Sequence, residues 1–411
     1  MAMTERISGK KIITGMDVGL DASFRYLEST NKIKPENVEF IYKLVKAAYY
    51  AFMDNCFDKE YVAQAYTALV NKNYAEVRKL AEKRAAESFD SSKPQVRITS
   101  MKRDSQKHAL EKLLTEIFYM TAVYYTRDGY TTELLTFFNF VCEHLVLIGL
   151  CRNDTLTIGR INEIDPLTYL NVITEFLNES KDTVYPSQKN NQITFVAINA
   201  IKTVATTYVK IFVDAPHALL NVQLLDLLIR RIYALCYWKE WMKKEGSSLA
   251  LIALMEILPE DFFIKYELAI VKALFYALNT LPEFITVTAH QNCPKSLYKL
   301  IEKCHLGPHF KFVSTNTIAP TEFFLSYVQR VSKTIGEDAK KLEMDYVAKF
   351  KEIIRIFIRE LKSEKKFARK ISRQCVEKLR ERERLSLEEL LNIDSAIYIS
   401  SFQEEEGTYL L

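Results

Sequence analysis

Glycine and proline are scarce in this sequence, with 10 of each among 411 residues. A sandwich or barrel needs a turn signal every ~8–12 residues and cannot be written with so few. Charge of one sign is also lacking. The formal net charge of +4 is small for the length and gives no strongly basic footprint of the nucleic-acid-binding kind. Cysteines number seven, an odd and sparse count without a CxxC pair. They read as reduced, mostly buried thiols of an intracellular protein. No run of about 18 uncharged apolar residues occurs. The nearest, Leu134–Cys151, contains Glu143 and His144, so no membrane span is read. The first residues scatter Glu5, Arg6, Lys10, Lys11 and Asp17 without a following apolar core, so no secretory leader is read. GxGxxG, GxxxxGK[ST], GxSxG, HExxH and the kinase motif set are all missing. No catalytic residue and no cofactor is therefore assigned, and the chain is read as a non-enzyme.

What is present is apolar residue at helical spacing. Hydrophobic residues make up 48% and charged residues 26%, enough for a large core under a solvated surface. Residues 1–36 read as an irregular lead-in. Ile41, Val45, Ala48, Tyr49 and Phe52 then form one stripe, and helices follow over about 59–71 and 73–86. Leu110, Leu113, Leu114, Ile117 and Thr121 share a face, and 134–148 is apolar nearly all round, as a helix buried on two sides would be. Pro166 suits a helix first turn after Asp165 as cap. Further helices are read over 167–178, 193–213, 247–258, 262–278, 294–304, 345–361 and 367–383, with Leu225, Leu228, Ile229, Ile232 and Cys236 as another stripe. Helix pairs recurring at about 40 residues have the period of HEAT-type repeats. One such pair cannot bury its apolar face alone, so pairs stack into a solenoid. The expected fold is all-α. It comprises a lead-in (1–36), a HEAT-like solenoid (37–384, with loops near 88–103, 152–165, 181–191 and 306–320) and an acidic tail (385–411). Leu228, Ile232, Leu251, Leu254, Ala273 and Phe275 are expected in the core.

Four features invite a functional reading. His290, Cys293, Cys304, His305 and His309 all carry zinc-ligand side chains within a short stretch. Their spacing matches no known finger, and adjacent Cys304 and His305 point different ways on a helix, so no metal is read. Between Lys340 and Arg384 stand 16 Lys/Arg against 8 Asp/Glu, followed by a tail with six acids and no base. Such a run suits an acidic partner, but is read first as a solvated helix face. Trp238 and Trp241 sit at a turn and are read as core, with an exposed hot spot as the alternative. In the last pair Val347, Phe350, Ile354, Phe357 and Ile358 form a stripe broader than one neighbour requires. The tail with Ile393, Ile397 and Tyr398, another repeat or a partner is expected to cover it.

Cys236-Tyr237, Trp241, Lys243 or Lys244, Gly246, Leu258-Pro259 and Lys272-Ala273-Leu274-Phe275 follow one another in an order that resembles the helical-repeat region of the transformation/transcription domain-associated protein family. Those proteins are pseudokinase scaffolds of histone acetyltransferase coactivator complexes. Weaker likenesses flank the motif at Leu110–Cys151, Asp165-Pro166-Leu167, Ile358-Arg359-Glu360-Leu361 and Arg369-Lys370, so that the likeness covers about 110–380. Ser247 stands where the family usually has a second glycine. Members continue into a FAT region and a kinase-like domain that these 411 residues do not include, leaving open a fragment, a split subunit or a different helical-repeat protein. The resemblance implies a nuclear, non-catalytic scaffold that binds protein subunits and activator proteins, with no membrane contact and no sequence-specific nucleic acid. The alternative is a cytoplasmic helical-repeat adaptor in transport or trafficking.

Overall fold

The structure is a computed structural model that describes residues 42–51, 59–88, 100–124, 131–150, 166–177, 190–281, 287–314 and 317–393. The lead-in 1–36, Ile41, Phe52, the break 152–165, Asp165, Pro186, Ile397 and Tyr398 lie outside the described residues. The described chain is overwhelmingly helical and divides into two compact units, one ending at Val213 and the other starting at Asp214.

The first unit holds α1 (42–51), α2 (Lys59–Val70), α3 (Tyr74–Ser88), α4 (Ser100–Tyr124), α5 (Thr131–Leu150), α6 (Pro166–Phe176) and α7 (Asn190–Ile211). Helix α5 is central: α2, α4 and α7 all pack on it. It is long and apolar enough to cross a membrane. Here Phe138, Leu145, Val146 and Leu147 are instead fully buried in protein. The helix thus spends its apolar surface on the core, as expected for one apolar all round. Helix α1 leans on it through Tyr42 and Tyr49, whose rings meet Phe137 edge-on. Leu110, Leu113, Leu114, Ile117 and Thr121 of α4 are all buried, as their common stripe requires.

The second unit shows the repeat most clearly. Helices α8 (Gln223–Ala234) and α9 (Trp241–Ile257) form one pair, α10 (Glu260–Thr280) and α11 (Val287–Cys304) the next, and α13 (Ala339–Glu360) and α14 (Lys366–Glu383) the last. First helices stack on first helices, α8 on α10 on α13, and second on second, α9 on α11 on α14. This two-row order is the HEAT-type arrangement, in which each pair buries the face its neighbour cannot. Leu228, Ile232, Leu251, Leu254, Ala273 and Phe275 all lie in the resulting core. The Phe275 ring meets Phe357 of α13 edge-on at 5.5 Å.

Four features differ from the sequence expectation. Between the second and third pairs stands an insertion: a two-stranded antiparallel ribbon, β1 (Phe310–Ser314) with β2 (Thr317–Pro320), and helix α12 (Glu322–Ile335). The helix is fixed at its ends by Thr321, whose hydroxyl accepts from Phe324 N–H, and by Gly336, which takes the left-handed conformation at φ 74°. Helix α9 starts at Trp241, not Ser247, because Gly246, Ser247 and Ser248 are buried packing positions rather than turn residues. The Ser247 hydroxyl donates to the Ile232 carbonyl at 2.7 Å, joining α9 to α8. Helix α11 runs through Pro294. The lost backbone donor costs about 3 kcal/mol, which the burial of Cys293, Leu297, Leu300, Ile301 and Cys304 outweighs. Finally, the acidic tail opens with a short helix, α15 (Leu387–Asn392), started by a capping box between Ser386 and Glu389. Leu390 and Ile393 are buried, and Leu390 and Leu391 line a gap of about 10 Å³ with Ile354, Phe357 and Ile358. The tail thus meets Ile354, Phe357 and Ile358 of the broad stripe of α13, while Phe350 stacks on Phe310 of β1.

Candidate functional site

The five zinc-type residues do not converge. His290 lies in the first turn of α11, with its side chain outside the described residues. Cys293 faces α9, its sulfur 3.0 Å from the Ser248 hydroxyl, and burial pushes its thiol up to about 11. Cys304 is buried too, and burial holds its thiol well above the usual range. All five described cysteines are free and buried.

His305 and His309 instead join two carboxylates that sequence reasoning missed. His305 Nε2 lies 2.9 Å from Glu267 Oε1 of α10, and its Nδ1 lies 2.5 Å from Glu383 Oε1, the last residue of α14. Both ring nitrogens face carboxylates, so both must donate, and the ring is an imidazolium. Burial opposes that charge, but Glu267 and Glu383 outweigh it and raise the His305 pKa to about 10. The other Glu383 oxygen accepts the backbone N–H groups of His309 and Phe310 at 2.6 and 3.0 Å. His309 is the opposite case. Burial and the neighbouring positive His305 lower it to about 4, with Glu383 pulling the other way, so it is neutral. A carboxylate at a helix C-terminus is ordinarily disfavoured by the helix dipole. Here three donors hold it, and four elements, α10, α11, β1 and α14, are tied at one buried point.

The donor atoms of His305, His309 and Glu383 all lie within 4.8 Å of one another. Two ligands of one zinc, each about 2.0–2.2 Å from it, stand well over 2.5 Å apart. The His305–Glu383 contact is therefore a hydrogen bond with no room for an ion between its atoms. The cluster's chemistry is that of a buried charge network.

The exposed features lie elsewhere. Trp238 is 52% exposed, against its expected core role, while Trp241 is half-buried. Lys243 Nζ sits 3.5 Å from the Trp238 ring centroid, a cation–π contact. Tyr237 and Tyr276, both exposed, lie beside it with ring centroids 5.0 Å apart. Three aromatics thus crown the end of the α8–α9 and α10 helices, an arrangement typical of protein interfaces rather than cores. In the basic stretch 340–384, Glu360 and Glu383 are turned inward, so the solvent face is more basic than the residue count implies. An open groove of about 480 Å³ runs between α11 and α14, lined by Pro294, Lys295, Tyr298, Gln374, Glu377 and Lys378.

No curated protein matches the chain. A family model does, and over almost the whole length, residues 5–403: it describes the Tra1 HEAT repeat ring region. The stacked pairs of the second unit have the HEAT-type order, and by that match the chain belongs to the Tra1 HEAT repeat ring family, the helical-repeat region that its Cys236–Phe275 motif resembles.

Proposed function

We propose that the chain works as a non-catalytic scaffold subunit of a nuclear histone acetyltransferase coactivator complex. Its helical rows present surface on which other subunits, and activator proteins, assemble. The observation that carries this is the near full-length match to the Tra1 ring region, a scaffold region of helical repeats. Two physical features support it. The buried Glu267–His305–Glu383 tie joins neighbouring helix pairs, and three exposed aromatics, Tyr237, Trp238 and Tyr276, stand at one helix-pair end. A chain of this kind has no turnover of its own and binds no cofactor or metal, and it works by holding partners in register.

Affinity purification of the tagged chain from nuclear extract, followed by mass spectrometry and an acetyltransferase assay, tests the proposal. Co-purification with acetyltransferase subunits and activity is the expected result. A free monomer near 47.7 kDa without stable partners, or a complex of coat and transport-receptor components, overturns it.

A further inference from the structure

Helix α14 breaks a local rule at its start. A helix N-terminus carries a partial positive charge and favours acids there. Here the N-cap is Lys365, without a side-chain cap hydrogen bond, and Lys366 follows with no acid in the first turn. The other end carries an exception of its own. Arg384 closes the helix at φ 55°, in the left-handed region that glycine occupies at lower cost. The helix dipole accounts for cations at that end but works against those at the start.

Lys366 and Arg384 lie on one line. Lys366, Lys370, Arg373, Glu377, Arg380 and Arg384 recur at alternating steps of four and three residues, the spacing of a single helix face. All are exposed except half-buried Arg373. From Lys366 to Arg384 the line runs about 27 Å at the helical rise of about 1.5 Å per residue. The other two acids of α14 are engaged elsewhere. Glu383 is buried on His305, and Glu381 pairs with Lys378 at 3.1 Å, which leaves Glu377 as the one acid on this face. Among the described residues no carboxylate pairs with Lys366, Lys370, Arg380 or Arg384. Elsewhere in the unit Lys272 and Lys299 are ion-paired across helices, with Glu352 and Glu256.

We propose that this face of α14 is a sequence-independent contact for the phosphate backbone of duplex DNA. Cations without carboxylate partners, set along a rigid line, match a row of phosphates and read no base. A duplex fits better than a single strand, because single strands are held by stacking on aromatic rings and Phe367 is the one ring that α14 carries. It also fits better than an acidic peptide, since no apolar residue stands on the line to anchor one.

The test uses the full purified chain and a fluorescein-labelled 20-base-pair duplex, with anisotropy read between 50 and 200 mM NaCl. Four unpaired cations predict a slope of log affinity against log salt of about −3.6, and each cation removed should flatten it by about 0.9. The triple variant Lys366→Ala, Lys370→Ala, Arg380→Ala should therefore lose about 2.7 of the slope. Lys272→Ala with Lys299→Ala, which removes cations already paired, should leave it unchanged. Arg384→Gly separates binding from folding: the slope should flatten by about 0.9 while the thermal midpoint holds or rises. A slope unchanged in the triple variant, or an equal loss in the paired-lysine control, overturns the proposal. So does a polyglutamate peptide or a polythymidine strand that binds more tightly than the duplex through the same cations. Duplex binding that emerges only after Glu404, Glu405 and Glu406 are changed to Gln also overturns it, by making the chain's own tail the occupant. The scaffold role does not require this contact, so failure here leaves its co-purification test standing.

Discussion

His305 and Glu383, 78 residues apart in sequence, meet at 2.5 Å with both side chains almost fully buried. The contact closes the last helix pair against the one before it, since His305 also holds Glu267. His305→Gln leaves two buried carboxylates facing each other without a full positive charge, and a loss of about 3–5 kcal/mol in urea denaturation is expected. The pH dependence has a fixed sign. The folded pKa of about 10 lies above the ordinary 6.5, so the contribution is fully present below 6.5 and is lost as pH climbs towards 10. The decline over that window should flatten in His305→Gln. An equally steep decline in the variant would assign the proton elsewhere.

The same geometry bears on metal. Zinc analysis of purified chain should give well under one ion per molecule, unchanged by Cys293→Ser, because Cys293 faces Ser248 on α9 and not His305. One zinc per chain, lost in His309→Ala, would show that the His305–Glu383 hydrogen bond opens to admit an ion.

Much of the architecture was legible where one helix face meets one neighbour. Leu225, Leu228, Ile229 and Ile232 occur at a clean helical period because α8 is solvated on its other side. Helix α12 carried its signals too, Thr321 before Glu322 and Gly336 at the end, but its place outside the regular pairs hid them. The ribbon 310–320 was not legible: five- and four-residue strands with a bulge near Phe312 leave too short an alternation. Glu267 and Glu383 were invisible as site residues for another reason. A carboxylate on a helix looks solvated until tertiary structure places a cation against it. Trp238 misled in the opposite sense, since an apolar ring signals burial whether it packs inside a core or waits on a surface.

Phe275 tests the stacking of first helices. It is 2% exposed and meets Phe357 of the following pair edge-on. Phe275→Ala should cost about 3–5 kcal/mol. A loss below about 1 kcal/mol would mean that α10 and α13 rearrange to fill the space.

Glu116 of α4 is buried, and one of its oxygens has no hydrogen-bond partner among the described residues. Burial raises its carboxyl from the ordinary 4.5 to about 8. A raised carboxyl binds its proton more tightly in the folded state, so stability is full below 4.5 and falls as pH rises towards 8. Glu116→Gln keeps the shape without the charge. It should stabilise the protein by about 1–3 kcal/mol near pH 7.5 and change little near pH 4, by urea denaturation at the two pH values. Equal effects at both would show that Glu116 is ionised and paired in the folded protein.

The short helix α15 is the last element that closes the second unit, and two residues decide whether it stays closed. Ser386 starts it, its hydroxyl accepting from Glu389 N–H while the Glu389 carboxylate accepts from Ser386 N–H at 2.7 Å. Leu390 then enters the apolar gap beside Phe357 and Ile358. A helix of six residues has little stability of its own, so cap and anchor must act together. Ser386→Ala should cost about 0.5–2 kcal/mol and Leu390→Ala about 2–5 kcal/mol. The two losses should not add, because once Leu390 no longer holds the helix down, little helix remains for Ser386 to cap. The double variant, measured by urea denaturation, should lie near Leu390→Ala alone. Strict additivity would mean that the cap and the anchor act independently. Hydrogen exchange gives the spatial readout: in Leu390→Ala, amides of 387–392 should lose protection first, followed by those of α13 around Ile354 and Phe357, which the helix meets. If protection at Ile354 stays unchanged while 387–392 exchange freely, the stripe of α13 is held by its own pair and α15 is not its cover.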